Sequence, residues 1–191
     1  MKAWTRESIK PVVEAMIFAS PSPISLSKLA QAIENVPIEL VKEAISTLMD
    51  DYNRDQQRGI ELVQVAGGYR FQTRPEYGRW VKRASRKTLQ RLSRAALETL
   101  AVIAYKQPIT RAEIERTRGV DSSGTIRLLL SKNLIRISGR KDVPGRPLLY
   151  RTTTRFLEVF QLKSLKDLPG IKELDSGLEA RQARLFDKKA V

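Results

Sequence analysis

Cysteine and histidine are both absent from this sequence of 191 residues. Their absence excludes disulfide bonds, zinc ribbons, cysteine nucleophiles and any catalytic site that uses an imidazole as its general base. Aromatic residues make up only 6% of the chain, and no apolar run approaches the roughly 18 residues that cross a bilayer. Glu7 and Glu14 interrupt the N-terminal segment, which is therefore typical of an amphipathic helix and not of a signal peptide. We expect a soluble, intracellular protein with no membrane contact.

Motifs that bind nucleotide phosphates are also missing. Gly139 and Gly145 are separated by five residues instead of four, and Arg146-Pro147 stands where a phosphate-binding loop has Lys followed by Ser or Thr. Acidic neighbours such as Asp50 and Asp51 do not converge on one site when they lie on a helix. The sequence therefore predicts a protein that is not an enzyme and that uses neither a cofactor nor a metal.

Positive charge is concentrated in the middle of the chain. The sequence has 35 Lys and Arg residues against 21 Asp and Glu residues, a net charge of +14. Residues 1–85 carry +2, residues 86–165 carry +11 and residues 166–191 carry +1. This distribution favours a polyanionic or acidic partner for the middle segment. The alternative is a solvated basic face that has no ligand.

Three amphipathic helices are predicted in the first half of the chain. One covers about residues 6–20, the second follows Ser25 as its N-cap, and the third runs from Pro37 to about Asn53. Apolar and polar residues then alternate in two runs that are separated by Gly67-Gly68, and this pattern indicates a tight hairpin. That turn predicts two cross-strand pairs, Glu61 with Arg74 and Gln64 with Phe71. A short helix from Pro75 through Trp80 is expected to follow.

The second half repeats this plan at an offset of about 85 residues. A helix from about Ser93 to Lys106 precedes a capping box at Thr110–Glu113, which begins a second helix that ends at Gly119. Asp121 is the predicted cap of a third helix that ends near Asn133. Further predicted elements are strands at 134–137 and 148–151, a loop at 139–147 and a closing helix at Phe156–Leu162.

The predicted fold class is therefore α+β, with two tandem winged helix-turn-helix domains that are mostly helical and carry small β-hairpin wings. We expect an N-terminal domain at residues 1–85, a C-terminal domain at residues 86–165 and a flexible tail at residues 166–191. The linker at residues 85–91 lacks Pro and Gly, so we expect it to be helical.

The third helix of a helix-turn-helix normally reads the DNA major groove. In the first domain this helix carries Glu39 and Glu43, which phosphates would repel. In the second domain it offers Arg127 and Lys132 but no dense set of base-reading residues. A DNA-binding transcriptional regulator with tandem winged helices remains the alternative function. The same surface can instead bind another protein.

Three long stretches of the sequence are distinctive enough to indicate one protein family: GGYRFQTRPEY, AYKQPITRAEIE and GRKDVPGRPLLY. With the sequence around them, over about residues 7–169, they resemble the segregation and condensation protein B family. Members of that family are bacterial, dimeric proteins with two winged-helix domains. They bind the kleisin subunit, segregation and condensation protein A (ScpA), of a condensin-like complex that contains the SMC ATPase.

The resemblance implies a cytoplasmic, nucleoid-associated adaptor in chromosome condensation and partition during cell division. It contacts SMC through the kleisin, and it makes at most weak, non-specific contact with DNA. The resemblance also implies that the first domain dimerises and that the second takes most kleisin contacts. Our candidates for the dimer interface are Phe18, Val63, Val65, Tyr69 and Phe71. Our candidates for kleisin binding are Tyr105, Lys106, Arg111, Arg140, Lys141, Arg146 and Tyr150.

Overall fold

A computed structural model describes residues 4–84 and 92–170 of the chain. The chain divides into two compact units, Met1–Thr88 and Leu89–Val191. The linker at residues 85–91, for which a helix is predicted, lies outside the described residues, and so do residues 171–191 of the predicted tail. Within the described ranges, no helix is both long enough and apolar enough to span a membrane.

Three helices build the core of the first unit: α1 (Arg6–Ala19), α2 (Leu26–Ala32) and α3 (Ile38–Arg54). The side chains of Thr5 and Ser25 cap α1 and α2 by accepting hydrogen bonds from the backbone N–H groups of Ser8 and Lys28. The inward faces of the helices form a cluster of buried side chains that includes Ile9, Val13, Ile17, Leu29, Val41, Ile45 and Leu48. These residues have the helical spacing on which the three predicted helices depend, and the structure confirms those helices.

A β-hairpin follows, formed by β1 (Ile60–Val65) and β2 (Gly68–Thr73). Its turn is Ala66-Gly67, one residue earlier than the predicted Gly67-Gly68. The predicted pairing was therefore wrong by two residues, because Glu61 lies opposite Gln72 and Gln64 opposite Tyr69. A single 3-10 turn and α4 (Gly78–Ala84) complete the described part of this unit.

The difference in register is explained by Gly68. Ile24 and Tyr69 pair through two backbone hydrogen bonds of 3.0 and 2.9 Å. A Cβ atom on Gly68 would lie 2.8 Å from the carbonyl carbon of Ile24, so this strand position requires glycine. The positive φ angles of the turn fall instead on Ala66, at 52°, and Gly67, at 74°.

The second unit repeats the order of the first, and its elements are α5 (Arg94–Lys106), β3 (Ile109–Thr110), α6 (Arg111–Arg118), α7 (Ser123–Ser131), β4 (Ile135–Arg140), β5 (Leu148–Thr152) and α8 (Thr154–Val159). Its strands form an antiparallel sheet in the order β3-β5-β4. The predicted capping box and the left-handed Gly119, with φ of 72°, delimit α6. The core includes Leu100, Ile103, Ile114, Leu129, Ile135 and Phe156.

The start of α7 differs slightly from the prediction. Its N-cap is Ser122, one residue after the predicted Asp121. Asp121 nevertheless supports this helix end, because its carboxylate accepts hydrogen bonds from the backbone N–H and the hydroxyl of Ser123, at 3.1 and 2.8 Å.

The hairpin and the last helix of the second unit also differ from prediction. Strand β4 continues past a bulge between Ile137 and Gly139 to Arg140, which lies opposite Leu148. The wing loop is therefore residues 141–147, shorter than the predicted 139–147. Helix α8 begins before Phe156, because the Thr153 hydroxyl accepts the N–H of Phe156 and caps the helix there. Each unit thus has three helices followed by a hairpin, which confirms the α+β, tandem winged-helix fold.

Candidate partner-binding surfaces

An aromatic pair at the end of α1 forms the first candidate surface. Phe18 is 75% exposed, and its ring meets that of Phe71 in β2 edge to face, with the centroids 6.4 Å apart. Phe71 in turn packs on Tyr52 of α3, at 4.7 Å. Helix α1 and strand β2 therefore hold the apolar ring of Phe18 exposed to water. Burying a phenylalanine side chain is worth about 1.5–3 kcal/mol, and a partner could supply that burial.

A cavity of about 310 Å³ lies beside this pair. It is lined by Ile17 and Phe18 of α1, by Ser20–Pro23 and by Arg70–Gln72 of β2. The Nε atom of Arg70 is buried and has no hydrogen-bond partner among the described residues. Its Nη2 donates to Gln72 at 3.3 Å. We define the Phe18 surface as the residues that line this cavity, and the exposed ring of Phe18 is its main apolar feature.

The structure brings together two of the five predicted dimer residues, Phe18 and Phe71. Tyr69 is partly buried against the core. Val63 lies opposite Arg70, on the strand face that alternates away from Phe71. Val65 is only 1% exposed, which corrects its assignment: it pairs with Gly68, where the backbone of Ile24 packs closely, and it has no surface to offer a partner.

The second candidate surface joins α6 to the wing. Glu113 uses Oε2 to accept hydrogen bonds from the backbone N–H and the hydroxyl of Thr110, at 2.9 and 2.8 Å. Its other oxygen, Oε1, accepts Lys141 Nζ from the first residue of the wing loop, at 2.5 Å. The Lys141 hydrogen bond, followed by those of Thr110, lowers the pKa of Glu113 to about 2. Glu113 therefore stays charged at neutral pH and connects the wing to the start of α6.

A cavity of about 320 Å³ lies on the same side of α6. It is lined by Lys106, Pro108, Ile109, Glu113, Arg116 and Thr117. Lys106 donates from Nζ to the hydroxyl of Thr117 at 3.1 Å, which holds the ammonium group at the rim. We call this cavity together with Lys141 the α6–wing surface. Three cations share it with one carboxylate, so it suits an acidic segment of a partner.

The wing loop presents two of the predicted kleisin contacts to solvent. Arg140 and Arg146 are exposed, and Nη1 of Arg140 donates to the carbonyl oxygen of Arg146 at 3.1 Å. The loop is closed by backbone bonds from Lys141 to Pro147 and from Arg146 to Val143, both at 2.9 Å. Its backbone is therefore internally braced while both guanidinium groups remain accessible.

Other predicted kleisin residues lie elsewhere. Arg111 is already paired with Glu115, at 2.6 Å, and with Asp121, at 2.9 Å, and its hydrogen bond to Glu115 raises the pKa of Arg111. The hydroxyl of Tyr105 donates to the carbonyl oxygen of Pro169 at 2.8 Å. Tyr150 is only 7% exposed and belongs to the core, so its assignment as a contact residue is corrected: β5 is the central strand of its sheet, and the ring faces inward.

Sequence reasoning missed Glu113 as part of a surface, and it also missed Arg116 and Thr117. The capping pattern identified Glu113 as a helix cap, but its second partner, Lys141, is 28 positions away. The i, i+3, i+4 spacing of residues 113, 116 and 117 was the available signal, because these positions share one helix face. Within residues 4–84 and 92–170, no group of three acidic side chains is placed to hold a metal ion.

Comparison with known proteins identifies the family. The family model of "Segregation and condensation complex subunit ScpB" matches residues 11–171. Segregation and condensation protein B of Syntrophotalea carbinolica is 49% identical over 94% of this chain and 90% of its own length. The protein of the same name from Carboxydothermus hydrogenoformans is 46% identical over 85% of this chain and 86% of its own.

Solved structures give two further matches. The crystal structure of ScpB from Mycobacterium tuberculosis is 32% identical, covers 82% of this chain and 97% of that chain, and has a TM-score of 0.40. A crystal structure of a dimer of ScpB N-terminal domain complexed with ScpA peptide is 30% identical, covers 45% of this chain and 98% of that chain, and has a TM-score of 0.39. The match of the family model across both winged-helix units confirms the resemblance seen in the sequence, and the chain belongs to the segregation and condensation complex subunit ScpB family.

Proposed function

We propose that this chain is a non-enzymatic, homodimeric adaptor that binds the kleisin ScpA and, through it, acts with the SMC ATPase. The observation that carries the proposal is the family match over residues 11–171, which includes both winged-helix units. Its role is then chromosome condensation and partition during cell division, in the cytoplasm at the nucleoid. We also propose the predicted domain limits, with dimerisation in residues 1–85 and kleisin binding in residues 86–165.

The Phe18 surface supports dimerisation of the first unit. An isologous dimer buries the same patch from both protomers, so one exposed ring counts twice in the interface. Phe18 offers apolar area, and Phe71 and Pro21 extend it. Tyr69, on the same strand face as Phe71, remains a candidate at the edge of this contact, and Val63 remains a candidate on the opposite strand face.

The α6–wing surface and the wing loop support kleisin binding by the second unit. An amphipathic, acidic segment can place its carboxylates near Lys106, Arg116, Arg140 and Arg146 while its apolar side chains contact Pro108. Charge complementarity of this kind raises the association rate and fixes the orientation of the partner. Arg111 and Tyr105 can contribute at the rim, although each already has a partner within the chain.

The exposed residues of α7 favour the adaptor over a sequence-specific DNA-binding regulator. They include Gly124, Arg127, Leu128 and Ser131, and Leu128 is 40% exposed. One arginine beside an exposed leucine gives little basis for reading base edges, which requires several Arg, Lys, Asn or Gln side chains.

The test is sedimentation velocity of the full chain, by itself and mixed with ScpA from the same organism. The chain by itself should sediment as a dimer, and the mixture should give a faster species that contains both proteins. Two independently sedimenting proteins at concentrations of about 10 μM would contradict the adaptor function. Binding to a random-sequence DNA duplex and to a genomic fragment library tests the alternative function. A DNA-binding regulator should bind one site at least about 10³-fold more tightly than it binds random DNA.

A further inference from the structure

Two arginines face each other across the wing of the second unit. Arg136 in β4 and Arg151 in β5 are direct partners in the antiparallel register. Both are exposed. Their strand neighbours Ile135, Tyr150 and Thr152 are buried, so the alternation places both arginines on the outer face of the sheet. Like charges directly opposite each other destabilise a sheet, and an arginine cannot relieve the repulsion by losing its proton.

No described carboxylate compensates for this repulsion. Neither arginine makes an ion pair with any residue in 4–84 or 92–170, whereas five of the seven acidic residues at 92–170, Glu98, Glu113, Glu115, Asp121 and Glu158, are engaged elsewhere. A sixth, Asp167, accepts the backbone N–H of Ser164 at 2.8 Å. The seventh, Asp142, lies in the wing loop and makes no ion pair with either arginine. The pair therefore keeps its full positive charge toward solvent.

Protection of a sheet edge does not account for the pair. Charged side chains on edge strands prevent pairing with other chains, and β4 is such an edge. Arg151, however, lies on the central strand β5, which has neighbours on both sides. Arg136 by itself would protect the edge, so the second arginine needs another reason.

We propose that the outer face of the β4–β5 hairpin, through Arg136 and Arg151, binds the phosphate backbone of duplex DNA without sequence preference. Two adjacent guanidinium groups match phosphate oxygens, each with paired N–H donors. Backbone contacts of this kind position a protein on DNA but carry no sequence information. Neither Arg136 nor Arg151 lines the α6–wing surface.

The composition of this face favours a nucleic acid over an acidic peptide. A peptide needs apolar contacts, because exposed ion pairs contribute only about 0–1 kcal/mol each. Five large apolar side chains are exposed in the described part of this unit: Val120 precedes α7, Leu128 is on α7, Val143 is in the wing loop, Leu165 follows α8, and Ile137 is opposite Tyr150 on the inner face. Among residues 92–170, the outer face beside Arg151 offers only Leu149, which is partly buried. A duplex gains affinity from charge by itself, because each neutralised phosphate releases condensed counterions.

The experiment measures fluorescence anisotropy of a labelled 20-base-pair duplex of random sequence, titrated with the full chain between about 50 and 200 mM salt. The wild-type chain should bind with a Kd of about 10⁻⁶ to 10⁻⁴ M at physiological salt. In Arg136→Gln/Arg151→Gln, affinity at low salt should fall at least about tenfold, and the slope of log K against log salt should decrease by about 1.8. Without DNA, the same variant should melt about 2 °C higher, because the repulsion is gone.

The matched control is Arg94→Gln/Arg155→Gln, which removes the same charge from two exposed arginines of the same unit. Each of these is paired with a glutamate on its own helix, so DNA affinity should remain within about twofold of wild type. An equal loss of DNA affinity in the control would show that the effect depends only on net charge, and it would overturn the proposal. An unchanged salt slope in the Arg136/Arg151 variant would overturn it, as would equally tight binding of a 20-residue polyglutamate. ScpA binding by the Arg136/Arg151 variant should be unaffected, which separates this proposal from the adaptor function.

Discussion

Glu113 and Lys141, 28 positions apart in sequence, meet at 2.5 Å and fasten the wing of the second unit to the first turn of α6. The same carboxylate completes the capping box of that helix. One side chain thus connects a local helix signal with a long-range contact. The positions of the wing loop and of the α6 cavity therefore depend on each other.

This ion pair predicts a pH-dependent contribution to stability. The folded state holds the pKa of Glu113 at about 2, below the value of about 4.3 for a glutamate in an unfolded chain. The stabilisation is therefore complete above about pH 4.3 and is lost as the pH falls toward 2. Because both side chains are partly exposed, Lys141→Met should lower the free energy of unfolding by about 0.5 kcal/mol at pH 7 and by nearly nothing near pH 2.

Urea unfolding followed by circular dichroism at pH 7 and at pH 2.5 measures this difference. Lys163→Met is the control, because Lys163 is exposed and makes no ion pair with the residues at 4–84 and 92–170. Equal losses for the two variants at pH 7 would show that the Glu113 contact contributes no stability.

Gly68→Ala should destabilise the first unit by about 1–3 kcal/mol. The new methyl group would lie 2.8–2.9 Å from three backbone atoms of Ile24, and backbone in a packed core moves only at a cost. Gly59→Ala is the control, since the space around Gly59 is open and its φ is not in the left-handed region. Equilibrium urea unfolding followed by tryptophan fluorescence checks the prediction. Similar stabilities of the two variants would mean that the Ile24 segment can move away from the hairpin.

Phe18→Glu should convert the proposed dimer to a monomer without unfolding it. The ring is 75% exposed in the protomer, so the substitution should change the stability of the isolated fold by no more than about 0.5 kcal/mol. In the dimer it removes about 1.5–3 kcal/mol of apolar burial per protomer and introduces an unpaired charge. Sedimentation equilibrium measures the dimer dissociation constant, which should rise at least about 100-fold.

The matched control for this prediction is Ile38→Glu, which alters a side chain of the same unit that is 46% exposed on α3. That variant should remain a dimer. If Phe18→Glu sediments with the wild-type dimer mass, dimerisation does not use the Phe18 surface.

Arg140→Glu/Arg146→Glu should weaken ScpA binding about tenfold, or about 1.4 kcal/mol, and should leave the dimer mass unchanged. The two guanidinium groups are exposed at the wing, so the effect should appear mainly in the association rate and decrease as salt increases. Surface plasmon resonance with immobilised ScpA gives both quantities. The control Arg94→Glu/Arg155→Glu makes the same charge change on α5 and α8, and its affinity should stay near that of wild type. Unaltered kinetics in the wing variant would remove the loop from the interface.

Local patterns predicted most of the fold, because helical spacing, N-caps and turn residues act over a few positions. The apolar spacing of α1 and α3 and the Thr110–Glu113 capping box are confirmed in the structure. The hairpin register was wrong because it depends on a distant neighbour: Ile24 excludes any Cβ at Gly68, and the turn therefore shifts to Ala66-Gly67.

The candidate surfaces could be predicted only in part. Phe18 and Phe71 have no local relationship in the sequence, and both were named as candidates for the dimer interface. The structure leaves Phe18 exposed and packs the partly buried Phe71 against the core cluster. Val65 and Tyr150 could not be distinguished from surface residues, because burial on a strand depends on which elements pack against it. The pairing of Arg136 with Arg151 was hidden by the bulge at residues 137–139, which shifts the register within the wing.

The most direct test of the adaptor function is a calorimetric titration of the full chain with ScpA from the same organism at about 0.15 M salt. We predict a dissociation constant in the micromolar range or tighter, with saturation at less than one ScpA per protomer because the proposed dimer shares one kleisin. A titration without binding heat at two temperatures, with both proteins folded by circular dichroism, would contradict the function and leave the fold unaffected.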